Sequence, residues 1–109
     1  MLNDTRVVYK YIIPEGGETT IRGWFTRILD VAEQDGNLVI WIENSITHGD
    51  LMGNQIPRDE SEKINLTVFS IGTGCPYSSS GVGDYVRSVL MSSGLVWHIF
   101  VRPEQRGML

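Results

Sequence analysis

A glycine-rich turn followed by a run of serines holds the residue types best suited to chemistry in this sequence. Backbone N–H groups in such a turn can converge on an anion, and serine hydroxyls add further donors. The Gly-x-Gly pair lacks the third glycine of a dinucleotide fingerprint, and the sequence contains no Gly-Lys-Ser or Gly-Lys-Thr phosphate loop. The pattern therefore indicates either an anion-binding turn or a bend between strands. The residues concerned are Gly72, Thr73, Gly74, Ser78, Ser79 and Ser80.

A nucleotide-like ligand at this turn needs a cation for its phosphate and an aromatic ring against its base. Arg87 and Arg102 are the basic residues nearest to the turn by strand order. Trp24 and Tyr77 lie in glycine-containing turns, where packing constrains a ring least. An exposed ring at either position can stack on a base or anchor a protein partner. The sequence thus predicts a ligand-binding site built from the turn, the serines and these four residues.

Nucleophilic catalysis needs a base within hydrogen-bond reach of the nucleophile, and Cys75 with His98 is the pair that offers this chemistry. The pair forms only if the loop after one strand faces the middle of the last strand. This enzyme is the minority interpretation, and the main one is a protein without catalytic residues or a cofactor. His48 and Asp50 are a weak pair by metal-ligand spacing, so no metal site is predicted.

The composition limits the classes of function. The chain has 109 residues, of which 41% are hydrophobic and 20% charged, as in a globular domain. Its net charge of −4 and scattered basic residues argue against sequence-independent nucleic-acid binding. The single cysteine excludes an internal disulfide. The length of the chain predicts one domain over residues 1–109. Neither a membrane-spanning run nor a signal peptide is expected, so no membrane partner is predicted.

The elements that must position these residues are short apolar runs separated by glycine-rich turns, which is typical of antiparallel β proteins. Asp35-Gly36 between two such runs predicts a tight hairpin. The run at 85–91 also fits a short helix, but the Ser-Ser-Gly turn after it favours a strand. We expect an all-β fold, a single small antiparallel sandwich or partly closed barrel of six to seven strands. The predicted strands are residues 7–13, 19–22, 27–34, 38–43, 64–71, 85–91 and 95–101.

Two segments lack a strand pattern. Residues 44–63 are polar, contain glycine and proline, and predict a long loop that is either a flexible insertion or a functional flap. Pro103 is expected to end the last strand, which leaves residues 103–109 as a flexible tail or contact arm. Exposed sheet edges in so small a domain also predict a homo-oligomer.

Several short motifs, taken in order, resemble a family of short phage and prophage proteins of unknown function. The likeness covers most of the chain except the loop at 44–63, which is longer here, and the C-terminal tail. That family usually carries histidine where this sequence has Cys75, so a histidine-dependent mechanism at this loop could not operate unchanged. The resemblance implies a phage-borne accessory protein in the host cytoplasm and supplies no activity. The motifs are Tyr9-Lys10-Tyr11, Ile28-Leu29-Asp30-Val31, Asp35-Gly36 with Trp41, Gly72-Thr73-Gly74-Cys75-Pro76 and Gly94-Leu95-Val96-Trp97-His98-Ile99-Phe100.

Together these features predict a non-enzymatic phage accessory protein that engages a host molecule. One version binds a host protein through an exposed sheet edge or the loop at 44–63. A second version sequesters a small, anionic, nucleotide-like ligand between subunits, with its phosphate on the turn at 72–80 and an aromatic ring stacked on its base. The alternative from another class is a structural virion or assembly component, which requires a larger obligate oligomer with an apolar interface.

Overall fold

The computed structural model describes residues 3–104, and their regular structure is almost entirely β-strand. This confirms the all-β prediction, including a strand rather than a helix after residue 84. A single 3-10 turn lies at Glu60–Glu62. The strands are β1 (Arg6–Ile13), β2 (Glu18–Gly23), β3 (Phe25–Gln34), β4 (Asn37–Ser45), β5 (Thr47–Gly49), β6 (Gln55–Pro57), β7 (Ile64–Gly72), β8 (Asp84–Leu90) and β9 (Val96–Glu104).

Seven of these strands form the two main sheets, in the orders β1-β4-β3 and β2-β7-β9-β8. All neighbouring strands are antiparallel. Neither sheet closes on itself within residues 3–104, so the fold is a small sandwich and not a barrel. Among the described residues, the short strands β5 and β6 pair only with each other.

The core lies between the facing sides of the two sheets, as strand alternation dictates. On β9, the last strand, Ile99 and Val101 face the core, while Phe100 faces away. This strand is apolar on both faces because one face packs in the core and the other is covered by the segment between β7 and β8. The buried core residues are Ile13, Val31, Leu38, Ile40, Ile42, Leu66, Val68, Val89, Met91, Ile99 and Val101.

The predicted hairpin turn at Asp35-Gly36 is present between β3 and β4. Both residues have positive φ, 53° and 80°, which is the backbone of a type I′ turn. An aspartate and a glycine tolerate this conformation better than most residue pairs, so the dipeptide determines where the chain reverses.

Two boundaries differ from those predicted. The polar stretch 44–63 is not a bare loop, because its first two residues extend β4 and it contains β5, β6 and the 3-10 turn. Pro103 does not end β9, which continues to Glu104. The neighbouring β8 stops opposite Val101, so Pro103 lies where β9 is paired on one side only, and a missing N–H is tolerated there. Residues 105–109 of the predicted tail lie outside the described residues.

The segment between β7 and β8 forms a third layer on the outer face of the second sheet. Val82 of this segment is buried against Phe69 and Phe100, and Ile71 packs at the edge of the same cluster. Tyr77 adds a ring contact, with its centroid 5.0 Å from that of Phe100. The segment is therefore held on the sheet by its own apolar side chains.

Polar contacts join the two sheets along the side where β3 approaches β8. Asp30 on β3 forms an ion pair with Arg87 on β8. Glu33 accepts hydrogen bonds from the backbone N–H and the hydroxyl of Ser92, each at 2.6 Å. These donors lower the pKa of the Glu33 carboxyl below its ordinary value of 4.5.

Replacing Glu33 with glutamine is expected to make the melting temperature fall less steeply as the pH is lowered into the acid range. The folded-state pKa of Glu33 lies below its unfolded value, so its contribution is complete above about pH 4.5 and is lost as the pH falls through the folded pKa. Melting temperatures between pH 3 and pH 7 measure the change. Glu18→Gln is the control, because Glu18 is exposed on β2 and its carboxylate makes no hydrogen bond or ion pair within the described residues. Equal profiles for the two variants would contradict the prediction.

Candidate functional site

A surface pocket of about 550 Å³ lies between the outer face of the second sheet and the start of the β7–β8 segment. Its volume falls within the range of small-molecule sites. The wall formed by the sheet is aromatic and polar, and the opposite wall is the glycine-rich turn. The lining residues are Ile71, Gly72, Thr73, Gly74, Cys75, Tyr77, Tyr85, Ser88, His98 and Phe100.

A β-bulge brings the polar side chains of β8 onto the pocket face. Tyr85 pairs with Phe100 and Ser88 pairs with His98, while the register shifts between Tyr85 and Arg87. Strict alternation would put residues 85 and 88 on opposite faces of the sheet. The extra residue reverses that alternation, so both side chains reach the pocket.

Four side chains form one chain of hydrogen bonds along the pocket wall. The Tyr85 hydroxyl lies 2.8 Å from Ser88 Oγ, and Ser88 Oγ lies 2.6 Å from His98 Nδ1. On the other side of the imidazole, Nε2 lies 2.8 Å from Thr73 Oγ1. Both ring nitrogens of His98 therefore have a hydroxyl partner.

This chain has two possible directions, because a neutral imidazole carries a proton on one nitrogen only. If Tyr85 donates to Ser88 and Ser88 donates to Nδ1, then Nε2–H donates to Thr73 and leaves the Thr73 O–H free. In the reverse direction, the Tyr85 O–H is the free donor. In either direction, one of the two terminal hydroxyls, Thr73 or Tyr85, is a donor and the other is an acceptor. The direction of the chain can reverse to match the acceptor and donor of a ligand.

The predicted site residues are divided between the pocket and other places. Gly72, Thr73, Gly74 and Tyr77 line the pocket. The serines lie further along the segment and do not line it, with the hydroxyls of Ser78 and Ser80 3.3 Å apart. Ser79 is also exposed outside the lining.

The turn itself uses a backbone donor that an anion would need. The Cys75 N–H donates to the Gly72 carbonyl at 3.0 Å, which closes the turn. Gly74 has a φ of +85°, a conformation that glycine adopts without strain. The geometry at 72–75 is therefore that of a tight reversal between β7 and the covering segment.

Neither predicted arginine reaches the pocket. Arg87 forms its ion pair with Asp30 on the facing sheet, and Arg102 donates to the Gly81 carbonyl and lies over the Phe69 ring. Sequence order placed both arginines close to the turn, but their contacts hold the charged ends elsewhere. Among the described residues, the lining contains no Asp, Glu, Lys or Arg.

Trp24 lies away from the pocket. Its indole Nε1–H donates to the Asp59 carbonyl at 2.9 Å, and the Lys63 ammonium lies 4.6 Å from the ring centroid. The ring is half-buried against the segment before β7. These contacts make Trp24 a packing residue for that segment.

Cys75 and His98 do line the same pocket, as the minority enzyme interpretation requires. The imidazole nitrogens are engaged by Thr73 and Ser88, and no hydrogen bond joins His98 to the Cys75 thiol among the described contacts. Cys75 is exposed at the rim. In this arrangement the imidazole holds two hydroxyls in place.

Sequence reasoning missed Tyr85, Ser88 and Phe100 as pocket residues. The bulge that brings Tyr85 and Ser88 to the pocket carries no signal such as a glycine or a proline. Within residues 3–104, no group of three or more His, Cys, Asp and Glu side chains is placed to hold a metal ion. The same residues include no helix with the length and apolar character needed to cross a membrane.

A family model described as a domain of unknown function (DUF7352) matches residues 4–108. No curated protein and no solved structure shows a significant match to the chain.

Proposed function

The chain belongs to the DUF7352 family of domains of unknown function, and we propose that it is a non-enzymatic binding protein whose pocket holds a small, uncharged, ring-containing ligand. The observation that carries this proposal is the chain of hydrogen bonds from Tyr85 to Thr73 along an aromatic wall. Small-molecule sites typically combine an apolar wall with a few fixed polar groups.

The aromatic wall favours a flat ring. Tyr77 and Tyr85 both contact Phe100, with ring centroids 5.0 and 5.6 Å from it. Because these rings pack against one another, the space beside them has a fixed shape. A planar ligand there gains from offset stacking as well as from apolar burial. Tyr77 is exposed at the rim, where it can cover a bound ring.

The absence of a charged side chain from the described lining favours an uncharged ligand. Moving a phosphate out of water costs about several kcal/mol, as for other buried ions, unless a cation or several hydrogen-bond donors replace its hydration. A base or nucleoside therefore fits this pocket better than the phosphate-bearing, nucleotide-like ligand predicted from the sequence. Such a ligand carries both a donor and an acceptor, which the two ends of the hydrogen-bonded chain can match.

The cellular setting of the proposal comes from the phage resemblance. In that setting the protein is a phage-borne accessory factor in the host cytoplasm, and the ligand is a heterocycle of the host. Withholding such a molecule from a host enzyme requires binding alone.

A panel of the four ribonucleosides and their 5′-monophosphates tests the chemistry directly. We expect at least one nucleoside to raise the melting temperature in proportion to the logarithm of its concentration. The matched monophosphate should raise it less, because its charge finds no partner in the pocket. Tighter binding of the monophosphate would contradict an uncharged ligand. A panel without any binder would contradict a nucleoside-like ring.

The alternative is a structural virion or assembly component, or a protein that docks on a host protein. The tip of the β5–β6 hairpin favours this alternative, because Leu51 and Met52 are 92% and 84% exposed there. Asp50 fixes the tip by accepting the N–H groups of Met52 and Asn54 at 2.9 and 2.8 Å. A fixed pair of exposed apolar side chains suits insertion into a partner. A virion component forms an obligate assembly, whereas a docking protein binds its host partner through this tip. In either case Leu51→Ser disrupts the complex, and no small molecule binds.

A further inference from the structure

The outer edge of β1 is a second surface of interest, separate from the pocket. Within residues 3–104, β1 lies at one end of its sheet and pairs only with β4. Its side chains on the outer face include Val8 and Ile12, which are 48% and 62% exposed. Long edge strands with apolar side chains are templates for pairing with another chain.

The backbone groups of this edge that have no partner among the described residues follow from the β1–β4 hydrogen-bond pattern. The Ile46 N–H donates to the Thr5 carbonyl at 2.9 Å, and these residues continue the β1–β4 register. Hydrogen-bonded pairs alternate along an antiparallel ladder, so the odd-numbered residues of β1 bond to β4. The N–H and C=O groups of Val8, Lys10 and Ile12 therefore point away from the sheet.

The charges on β1 do not protect the edge. Arg6 forms ion pairs with Asp4 and Glu43, each at 2.9 Å. The Lys10 ammonium donates to Gln34 Oε1 at 2.9 Å. Gln34 lies on β3, so the Lys10 side chain extends across β4 and away from the edge.

We propose that a second copy of this chain occupies the edge, with the two β1 strands antiparallel and a two-fold axis at Lys10. In this register Val8 lies opposite Ile12 of the second copy on the outer face. On the inner face, Tyr9 lies opposite Tyr11 of the second copy. Apolar and aromatic cross-strand pairs are the favourable ones, and the two lysine side chains at the axis lie toward their own β3 strands.

Neighbouring registers are less favourable. A shift by two residues in one direction places Val8 opposite Lys10 of the second copy and Arg6 opposite Ile12. A shift in the other direction places Val8 opposite Pro14, which has no N–H to donate. One strand per copy makes a small interface, so the dimer should dissociate reversibly as the protein is diluted.

Cysteine cross-linking tests both the surface and its register. In a Cys75→Ser background, Val8→Cys and Ile12→Cys are made as separate variants and then mixed under mild oxidation. We expect a covalent dimer from the mixture and none from either variant alone, because each position lies opposite the other and not opposite itself. Opposite Cα atoms in a hydrogen-bonded pair are about 5.5 Å apart, a distance that a disulfide spans. Cross-linking within a single variant, or none in the mixture, would overturn the proposed register.

Sedimentation equilibrium of the protein without the introduced cysteines tests whether the dimer forms. We expect Ile12→Lys to raise the dissociation constant at least about tenfold. Leu90→Lys is the matched control, because Leu90 is an exposed apolar residue on β8 at the edge of the other sheet. A chain that stays monomeric up to about 1 mM, or a dimer that only Leu90→Lys weakens, would overturn the proposal. Pocket binding by the monomeric Ile12→Lys variant should be unchanged, which separates this result from the proposed function.

Discussion

Replacing Gly83 with alanine is expected to lower the free energy of unfolding by about 3 kcal/mol. Gly83 has a φ of +80°, and a Cβ built on it would overlap the Val101 carbonyl oxygen and lie 2.9 Å from Arg102 Cα. β9 cannot move aside easily, because it is bonded to β7 and β8 on its two sides. The new methyl group must therefore push the end of the β7–β8 segment off the sheet.

Gly94→Ala is the matched control for this prediction. Gly94 has a similar φ of +92°, but nothing lies within 4 Å of its Cβ position. Its substitution carries only the backbone cost of a positive φ, about 1 kcal/mol. Urea unfolding of both variants separates the steric term from the backbone term. Equal losses of stability would show that the close approach to β9 is unimportant.

Replacing His98 with phenylalanine is expected to weaken ligand binding by about 10- to 100-fold. Phenylalanine keeps an aromatic ring on β9 but removes both hydrogen bonds of the imidazole. Thr73 and Ser88 then lose the group that links them, so the two ends of the pocket no longer act together. The melting temperature should change little, because His98 is only half-buried and both hydroxyls can bond to water.

Arg87→Glu is the control that distinguishes this site from the one predicted from sequence. If a phosphate were held by Arg87, charge reversal would abolish binding. The ion pair with Asp30 holds that guanidinium at the exposed side of the sandwich where β3 approaches β8, away from the pocket. Isothermal titration with the nucleoside selected from the panel should therefore give the wild-type affinity for Arg87→Glu. Loss of binding in this variant with full binding in His98→Phe would reverse our assignment.

The strands of this protein could be predicted from sequence because their signals are local. Alternating apolar residues and the Asp35-Gly36 turn depend only on neighbours along the chain, and the structure confirms the strands that they indicate. The prediction that Pro103 ends the last strand was wrong, because the outcome depends on residues that are distant in sequence. Whether a proline ends a strand depends on which partner needs its N–H, and the early end of β8 removes that need.

The site could be predicted only in part, for the same reason. The turn at 72–74 and Tyr77 were recognised by residue type, and they do line the pocket. Tyr85 and Ser88 reach it through a bulge that no residue type marks. The positions of Arg87 and Arg102 depend on Asp30 and Gly81, which are distant in sequence, so strand order alone could not locate their charged ends.

Native mass spectrometry of the protein purified gently from an expressing host shows whether the pocket holds a small molecule in the cell. We expect an additional mass of about a few hundred daltons per chain, which is the size of ligand that the pocket can hold. The same preparation of His98→Phe should lack this mass while keeping its fold. Bare wild-type chains, as monomers or oligomers, would contradict a ligand-binding role, and so would an additional mass that His98→Phe retains in full.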